Sequence, residues 1–332
     1  MVVVIPTLAA GGTLTECLIS LTDQTRRDFE VVIVDNSGKQ LARQMGAQRY
    51  GARVMENDRN IGFGAAINAA WQRSGAPFLA TLNDDATAGP GWIAALLEAV
   101  EGRPEVGMCA SQVRLRGGER LDSAGMLMCG DGSSKQRGQG EAPERYSRAE
   151  EALFPSGSAA LYRRAMLEET GLFDEDFFLY CEDTDLGLRA RWAGWKCVYV
   201  PQAVVEHHYS HTSGRVSALK AYYVERNRLF VIVKNFPAGM LLRAPLLALA
   251  RYLWHVVSIL EGRGSAAGFS RQSRNPLELI FIVLRAHCAC LFRWRSLWRK
   301  RREIRRRARI SAREFRRLLK AHSITPRQVA AL

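Results

Sequence analysis

Three carboxylates occupy four consecutive positions near the middle of the chain. Glu182, Asp183 and Asp185 follow directly behind the largely apolar segment Phe177–Cys181. Acids that are crowded together beside an apolar wall repel each other and lose hydration, and both effects raise their pKa. The cluster can therefore supply a proton acceptor for catalysis, with a solvated helix face as the alternative.

Polar side chains at two other places can bind a metal ion. Asn83, Asp84 and Asp85 follow an apolar run, and oxygen ligands at the end of a strand suit Mg²⁺ or Mn²⁺ carrying a diphosphate. The alternative is an aspartate cap on the following helix. Three histidines fall within residues 207–211, and such a cluster downstream of two acidic groups favours a metal ligand.

A glycine-containing segment opens a helical pattern after the third apolar run. Gly62 and Gly64 lie between Asn60 and Asn68, and glycines there let backbone N–H groups approach a phosphate closely. A dinucleotide fingerprint would place a third glycine where Ile67 stands and would follow the first strand. The segment indicates either phosphate contact or an ordinary helix N-terminal turn.

These residues are distributed over alternating strand and helix patterns. Short apolar runs predict buried strands at Val2–Ile5, Glu30–Val34, Arg53–Glu56 and Phe78–Leu82, and helical spacing covers Thr13–Leu21, Gly64–Ser74 and Gly91–Val100. The alternation predicts an α/β sandwich around a mostly parallel sheet. Ligands of such sheets bind at the carboxyl ends of the strands. The polar residues fall at those ends: Thr7, Asp35, Asn36, Ser37, Asn57, Asp58 and the 83–85 group.

The positive charge of the protein is concentrated near one end of the sequence. The 332-residue chain has a formal net charge of +14, and residues 293–320 hold fourteen Arg and Lys against two Glu. The rest is close to neutral. Seven cysteines without a CxxC pair argue against a disulfide framework or a structural zinc site and indicate reduced thiols.

The basic segment has three interpretations. It can lie on an anionic membrane surface, follow the phosphate backbone of a nucleic acid, or be a solvated helix. Two interrupted apolar stretches before it, residues 240–260 and 277–292, contain charged residues and are expected to be interfacial or packed rather than spanning. These two apolar stretches favour the interpretation that the basic segment lies on a membrane surface. Residues 114–150, rich in Gly, Ser, Arg and Glu, form either a small hairpin excursion or a loop near the site.

An ordered series of motifs resembles the family 2 glycosyltransferases with the GT-A fold, in their bacterial rhamnosyltransferase-like branch. The motifs are Val3–Thr7, Val32–Ser37, Asn60–Gly64 with Asn68, Leu82–Asp85, Gly157-Ser158, Gly171–Glu175, Glu182–Leu186 with Arg189, His208 with Ser213, and Tyr223–Asn227. They span roughly residues 1–230. The resemblance implies a Rossmann-like α/β/α sandwich of the GT-A type over residues 1–214. A helical, membrane-associating extension would cover residues 215–332, with the basic amphipathic tail at 293–320.

The resemblance also implies the residues that bind the nucleotide. Asp35 would accept a hydrogen bond from a pyrimidine ring N–H. The other residues that would hold the base, ribose or diphosphate are Pro6, Thr7, Asn36, Asn60, Gly62, Gly64, Asn68, Asn83 and Asp84. Asn83 stands where the family's DxD motif has its first Asp, which is a departure from the pattern.

Metal binding and catalysis follow from the same resemblance. Asp85 would coordinate Mg²⁺ or Mn²⁺ as the last acid of the DxD-type motif. His208 would be the distal metal ligand, with His207 as the alternative, because the spacing from His208 to Ser213 fits the branch.

The resemblance assigns the general base to Asp183. Glu182 and Asp185 would support it, and Arg189 and Trp192 would position the acceptor or orient the base.

The implied activity is inverting, metal-dependent transfer of a sugar from a dTDP- or UDP-sugar to a saccharide or lipid-linked saccharide, with dTDP-rhamnose as the expected donor. The expected location is cytoplasmic, peripheral on the inner face of the cell membrane, in cell-envelope polysaccharide synthesis and without a nucleic-acid partner. The alternatives are a nucleic-acid-binding protein that uses the Arg-rich tail and a transferase-like scaffold without activity.

Overall fold

The computed structural model of the protein describes residues 1–208, 217–262, 268 and 277–332. The chain divides into two compact units. The first contains residues 1–126 and 136–208, and the second contains residues 127–135 together with the described residues from 217 onward. No motif or pattern in the sequence predicts that the short segment 127–135 belongs with the C-terminal helices.

The four strands expected in the first part of the chain are present. They are β1 (Val2–Thr7), β2 (Glu30–Asp35), β3 (Ala52–Glu56) and β4 (Phe78–Leu82), and they lie parallel in the order β3-β2-β1-β4. The helices between and after them are α1 (Gly12–Thr22), α2 (Leu41–Gln44), α3 (Phe63–Trp71) and α4 (Trp92–Glu98). Residues 2–5 are fully buried because helices cover both faces of a parallel sheet.

The remaining strands make the sheet mixed rather than mostly parallel. The strands are β5 (Ala86–Ala88), β6 (Val106–Leu115), β7 (Leu121–Ser123), β8 (Met126–Met128), β9 (Ser134–Gln136), β10 (Glu150–Ala152), β11 (Ala159–Arg163) and β12 (Lys196–His207). The sheet continues from β4 through β11, β6 and β12 to β10, and β11 runs antiparallel to both of its neighbours. Residues 114–150 therefore contain short strands, with β8 and β9 paired as a separate hairpin.

A strained loop leads into the helix that carries the acidic cluster. Helix α5 (Arg164–Thr170) precedes this loop and α6 (Glu182–Trp192) follows it. Phe178, Tyr180 and Cys181 have φ values of 63°, 68° and 63°, in the left-handed region that L-residues seldom adopt. Such a backbone persists only where neighbouring structure holds it.

The glycine segment holds this loop. Gly62 has a φ of 92°, and a Cβ atom there would stand 2.4 Å from the carbonyl oxygen of Phe178. The N–H of Phe63 donates to that same oxygen at 2.9 Å. Asn68 binds the backbone of Phe173, which precedes this loop. Its Nδ2 donates to the carbonyl of Phe173 at 2.9 Å, and its Oδ1 accepts from the Phe173 N–H at 3.1 Å.

The second unit is helical. Its helices are α7 (Ala218–Asn235), α8 (Ala238–Leu260), α9 (Glu278–Phe292), α10 (Trp294–Arg306), α11 (Ala312–Ala321) and α12 (Pro326–Ala331). Part of the basic segment packs in this unit. Arg301 donates to the carbonyls of Val233 and Phe236 at 2.9 and 2.6 Å, and Arg305 donates to that of Asn235 at 2.8 Å. These arginines satisfy carbonyl groups at the end of α7, which have no partner within the helix.

Helix α8 is long and apolar enough, by length and composition alone, to cross a membrane. Its mean hydropathy is 1.2 over the best 18-residue window, and 17% of that window is buried. The sequence predicts an interfacial or packed helix here, because charged residues interrupt the apolar stretch 240–260. One of these, Arg251, is ion-paired with Glu225 and Asp131 inside the same unit.

Candidate active site

Polar side chains meet at the carboxyl edge of the sheet, as the order of the strands predicts. The hydroxyl of Thr7, at the end of β1, donates to Asp84 Oδ2 at 2.6 Å. Asn57, after β3, donates through Nδ2 to Asn36 Oδ1 at 2.7 Å. Burial raises the pKa of Asp84 to about 6, although the hydrogen bond from Thr7 opposes the shift.

Asp35 lies at the end of β2 and is buried. One of its oxygens accepts the N–H of Ser37 at 2.8 Å, and the other accepts the N–H of Ala42, also at 2.8 Å. These bonds fix the loop after β2. Each carboxylate oxygen can accept more than one hydrogen bond, so contact between Asp35 and a nucleotide base remains a prediction.

The residues predicted to support the nucleotide diphosphate make contacts inside the protein. Asn60 Oδ1 accepts the N–H of Gly62 at 2.9 Å, and a Cβ atom on Gly64 would stand 2.8 Å from that of Phe173. With Asn68, these residues shape the loop before α6. Their role toward a phosphate remains a prediction.

The acidic cluster lies in the first turn of α6. Asp183 Oδ2 accepts the N–H of Gly157 at 2.9 Å, and Oδ1 accepts the N–H of Thr184 at 2.6 Å. Glu182 is 7% exposed, and its Oε2 is buried with no hydrogen-bond partner among the described residues. Burial raises the pKa of both acids, and the repulsion between them raises that of Glu182 further. At least one of the pair can therefore accept a proton near neutral pH.

A short turn connects the acidic cluster to the strand-end acids. The N–H of Asn83 donates to the carbonyl of Ser158 at 2.9 Å, and the adjacent Gly157 donates to Asp183. A Cβ atom on Gly157 would stand 3.4 Å from that of Asp183 and 3.3 Å from the ring of Phe63. Gly157 appeared in the sequence only as part of a motif, and its place beneath the expected base was not foreseen.

Asp185, Arg189 and Trp192 lie in the interior. Asp185 is fully buried, and its Oδ2 pairs with Arg189 Nε at 2.8 Å. The remaining nitrogens of Arg189 donate to the backbone carbonyls of Thr170, Gly171 and Leu172. Trp192 is 2% exposed. The contacts of Arg189 tie α6 to the segment after α5, and the roles of Arg189 and Trp192 in positioning the acceptor or orienting the base stay predictions.

The histidine cluster at the end of β12 contains two different environments. His207 Nδ1 lies 3.0 Å from Asp122 Oδ2, and Nε2 lies 3.1 Å from Asp85 Oδ1 and 3.2 Å from Asn83 Nδ2. Burial alone would lower the pKa of His207, but the bonds to Asp122 and Asp85 outweigh it and raise the pKa to about 9. Asp122, on β7, was missed because no motif surrounds it in the sequence.

His208 makes fewer contacts. Its Nε2 lies 3.6 Å from Glu16 Oε2, and Nδ1 is buried without a hydrogen-bond partner in the described part of the chain. His211 and Ser213, on which the preference for His208 depended, lie outside the described residues.

The pair Asp85–His207 fits a divalent cation as two of its ligands. Neighbouring ligands of an octahedral Mg²⁺ ion at about 2.1 Å stand about 3 Å apart, which matches the 3.1 Å between Asp85 Oδ1 and His207 Nε2. Histidines that bind metals commonly donate the other ring N–H to a carboxylate, as His207 can to Asp122. Within the described residues, no group of three or more His, Cys, Asp or Glu is arranged to hold a metal ion. Phosphate and water would have to complete such a site.

Comparison with known proteins decides the family. Residues 2–171 match the family described as Glycosyl transferase family 2. The chain belongs to this family.

The chain is 34% identical over 237 residues to an N-acetylglucosaminyl-diphospho-decaprenol L-rhamnosyltransferase of Mycobacterium tuberculosis, and the aligned region covers 64% of the chain and 77% of the relative. A rhamnosyltransferase of Escherichia coli, WbbL, is 40% identical over 67 residues, or 20% of the chain and 25% of the relative. The resemblance to the rhamnosyltransferase-like branch is confirmed, and the protein is a glycosyltransferase.

Solved structures confirm the GT-A-like fold. GalNAc-T7 with UDP, GalNAc and Mn²⁺ superposes with a TM-score of 0.57 at 17% identity, over 70% of this chain and 47% of that one. The mannosyltransferase PcManGT of Pyrobaculum calidifontis, in complex with GDP-Man and Mn²⁺, gives 0.51 at 16% identity, over 91% of this chain and 84% of that one. The glycosyltransferase thus spans about half the length of GalNAc-T7.

Replacing Glu182 is expected to change the pH dependence of transfer. The base must be ionised to act, so kcat/KM rises with pH, and burial of Asp183 places this acidic limb above the usual carboxyl range of about 4. Asp183 and Glu182 titrate as an interacting pair, so Glu182→Gln, which leaves Asp183 as the single titrating acid of the pair, should move the limb to lower pH. The measurement is a pH profile of kcat/KM, with the exposed Glu98→Gln as the matched control. An unmoved limb would show that the two acids do not interact.

Proposed function

We propose that the glycosyltransferase transfers rhamnose from dTDP-rhamnose to an N-acetylglucosaminyl-diphospho-lipid acceptor, with inversion, in the synthesis of a cell-envelope polysaccharide. The observation that carries the proposal is the position of Asp183. Its carboxylate is held at a turn whose next residue binds the backbone of Asn83, at the start of the strand-end acids. The 34% identity to the mycobacterial rhamnosyltransferase supports the choice of sugar and acceptor.

The reaction proposed is a single displacement. The acceptor hydroxyl oxygen attacks the anomeric carbon, and the bond from that carbon to the diphosphate oxygen breaks as the new bond forms. Asp183 takes the hydroxyl proton, and the nucleoside diphosphate leaves with the bonding electron pair. Attack on the face opposite the leaving group inverts the anomeric centre.

The edge of the sheet would bind the donor. Asp35 would accept from the pyrimidine ring, with Pro6, Thr7 and Asn36 around the base and ribose. A divalent cation, Mg²⁺ or Mn²⁺, would offset the charge of the departing diphosphate. Asp85 and His207 would hold it, and we prefer His207 to His208 because His207 already lies beside Asp85.

Asp183→Asn is expected to abolish transfer while donor binding persists. The amide keeps the size of the side chain but cannot accept the proton, so kcat should fall by about 100-fold or more. Transfer is measured with a lipid-linked acceptor, and dTDP binding is measured by calorimetry. Glu98→Gln, an exposed carboxylate on α4, serves as the matched control. Normal turnover by Asp183→Asn would reject the base, and an absence of turnover in the unaltered protein with every nucleotide sugar would favour the inactive scaffold.

The metal ligands can be separated by thermal stability without an activity assay. Mn²⁺ with dTDP should raise the Tm of the unaltered protein, because a ligand that binds only the folded state stabilises it. Asp85→Asn and His207→Ala should lose this rise, whereas His208→Ala should keep it. His287→Ala, an exposed histidine of the second unit, is the control. Loss in His208→Ala with retention in His207→Ala would reverse the assignment.

We further propose that the helical unit binds an anionic membrane surface. Exposed apolar residues repeat along one face of α8: Leu242, Leu246, Leu249, Leu253, Val256 and Leu260. Helix α9 and its flanks expose Leu277, Ile280, Phe281, Leu284, Leu291 and Phe292. Exposed arginines then follow at helical spacing on α10: Arg295, Arg299, Arg302 and Arg306. Exposed apolar faces followed along the chain by a basic stripe suit the boundary between acyl chains and anionic headgroups.

Replacing the four exposed arginines of α10 by Gln should weaken binding to vesicles that contain phosphatidylglycerol. Each arginine near an anionic surface contributes on the order of 1 kcal/mol, so affinity should fall by about 100-fold or more. Vesicle sedimentation measures this loss. The matched control replaces four exposed arginines of the first unit: Arg43, Arg49, Arg53 and Arg73. Tighter binding to duplex DNA than to these vesicles would favour the nucleic-acid interpretation instead.

A further inference from the structure

The helical unit contains a buried group of charged side chains in which the negative and positive charges are equal in number. Glu225 accepts from Arg251 Nη2 at 2.8 Å and from the Tyr252 hydroxyl at 2.5 Å, and it contacts Arg228. Asp131 accepts from Arg251 Nε at 2.5 Å, and its carbonyl accepts from Arg228 Nη1 at 2.6 Å. Two acids therefore face two arginines.

Lys135 places one more positive charge beside this balanced group. It lies partly buried on β9, and within the described residues no hydrogen bond or ion pair joins its ammonium group to another side chain. Burial, together with the positive charges of Lys220 and Arg251, lowers the pKa of Lys135 to about 8. A partly buried cation that lies near other cations and has no carboxylate partner would be stabilised by a bound anion.

His255 supplies a buried donor without an acceptor in the described part of the chain, beside Arg251 of the same group. Arg251 Nη1 lies 3.1 Å from His255 Nε2, and because a guanidinium can only donate, Nε2 accepts and the ring proton is on Nδ1. Nδ1 is buried, and no acceptor among the described residues reaches it. Burial, followed by the charges of Arg251 and Lys135, lowers the pKa of His255 to about 4, so the ring is neutral and Lys135 is close enough to act on it.

We infer that Lys135 and His255 bind a phosphate group in the helical unit, with Arg251 and Lys220 adding positive charge. A phosphate offers several acceptor oxygens at once, so it can satisfy the ammonium group and the imidazole N–H together while it neutralises the surplus charge. Two sources carry this chemistry: the diphosphate of a lipid-linked acceptor and the headgroup of an anionic phospholipid. The first source rests on the proposed transferase function, and the second rests on the proposed membrane binding.

Pyrophosphate alone tests the site in the full chain. It should raise the Tm of the unaltered protein, and Lys135→Gln should weaken pyrophosphate binding at least tenfold while Lys135→Arg restores part of it. Lys196→Gln, the same change at an exposed lysine of the first unit, is the matched control. Lys135→Gln is expected to fold, because it removes an unpaired cation, and its Tm without pyrophosphate should equal or exceed that of the unaltered protein. An undiminished pyrophosphate response in Lys135→Gln would overturn the inference.

Two further measurements identify the source of the phosphate. If the acceptor supplies it, Lys135→Gln should lower the preference for a diphosphate-linked acceptor over a phosphate-free acceptor, as a ratio of kcat/KM, at least tenfold. If phospholipid supplies it, the same variant should instead bind phosphatidylglycerol vesicles at least tenfold more weakly, with no comparable change for phosphatidylcholine. Loss of neither would overturn the inference. The pyrophosphate response does not require turnover, so it would survive a failure of the proposed transferase reaction.

Discussion

Burial of several carboxylates at one edge of the sheet is the constraint on which the first unit depends. Asp84, Asp85, Asp122, Glu182 and Asp183 are all brought to this region, and the partners described for them are hydroxyl, backbone N–H and imidazole groups. Burial without strong cationic partners raises carboxyl pKa values, as it does for Asp84 and Glu182. Burying these carboxylates costs free energy. A ligand that brings positive charge or a proton to this edge of the sheet would offset that cost.

The unusual backbone before α6 is a consequence of the same constraint. Three residues with left-handed φ angles lead into the helix, so that Asp183 in its first turn reaches the N–H of Gly157. Strain of this kind amounts to about 1–3 kcal/mol for each residue. The glycine segment offsets it by backbone contact, and only a residue without a Cβ atom permits the approach between Gly62 and the Phe178 carbonyl. The glycines that resemble a phosphate loop therefore first serve to position the acidic cluster of α6.

The sequence predicted the parts of the structure that depend on local pattern. The first four strands and the meeting of their polar ends follow from short apolar runs, and the Thr7–Asp84 bond confirms that these ends come together. Contacts between residues far apart in sequence could not be foreseen. Asp122 sits on a three-residue strand without a motif, and the antiparallel β11 between β4 and β6 has no distinct periodicity. The basic segment was predicted as a tail, but Arg301 and Arg305 bond to the carbonyls that end α7.

The buried polar group of the first unit has surplus negative charge, and that of the helical unit has surplus positive charge. This difference determines how each group can bind a phosphate. In the first unit, the carboxylates at the sheet edge would repel a diphosphate, so the proposed divalent cation would lie between them when a donor binds. In the helical unit, Lys135 and the N–H of His255 are donors beside an already balanced group, so a phosphate can bind there directly. Metal removal should therefore weaken nucleotide binding and leave the response to pyrophosphate at Lys135 intact. A single shared phosphate site would lose both together.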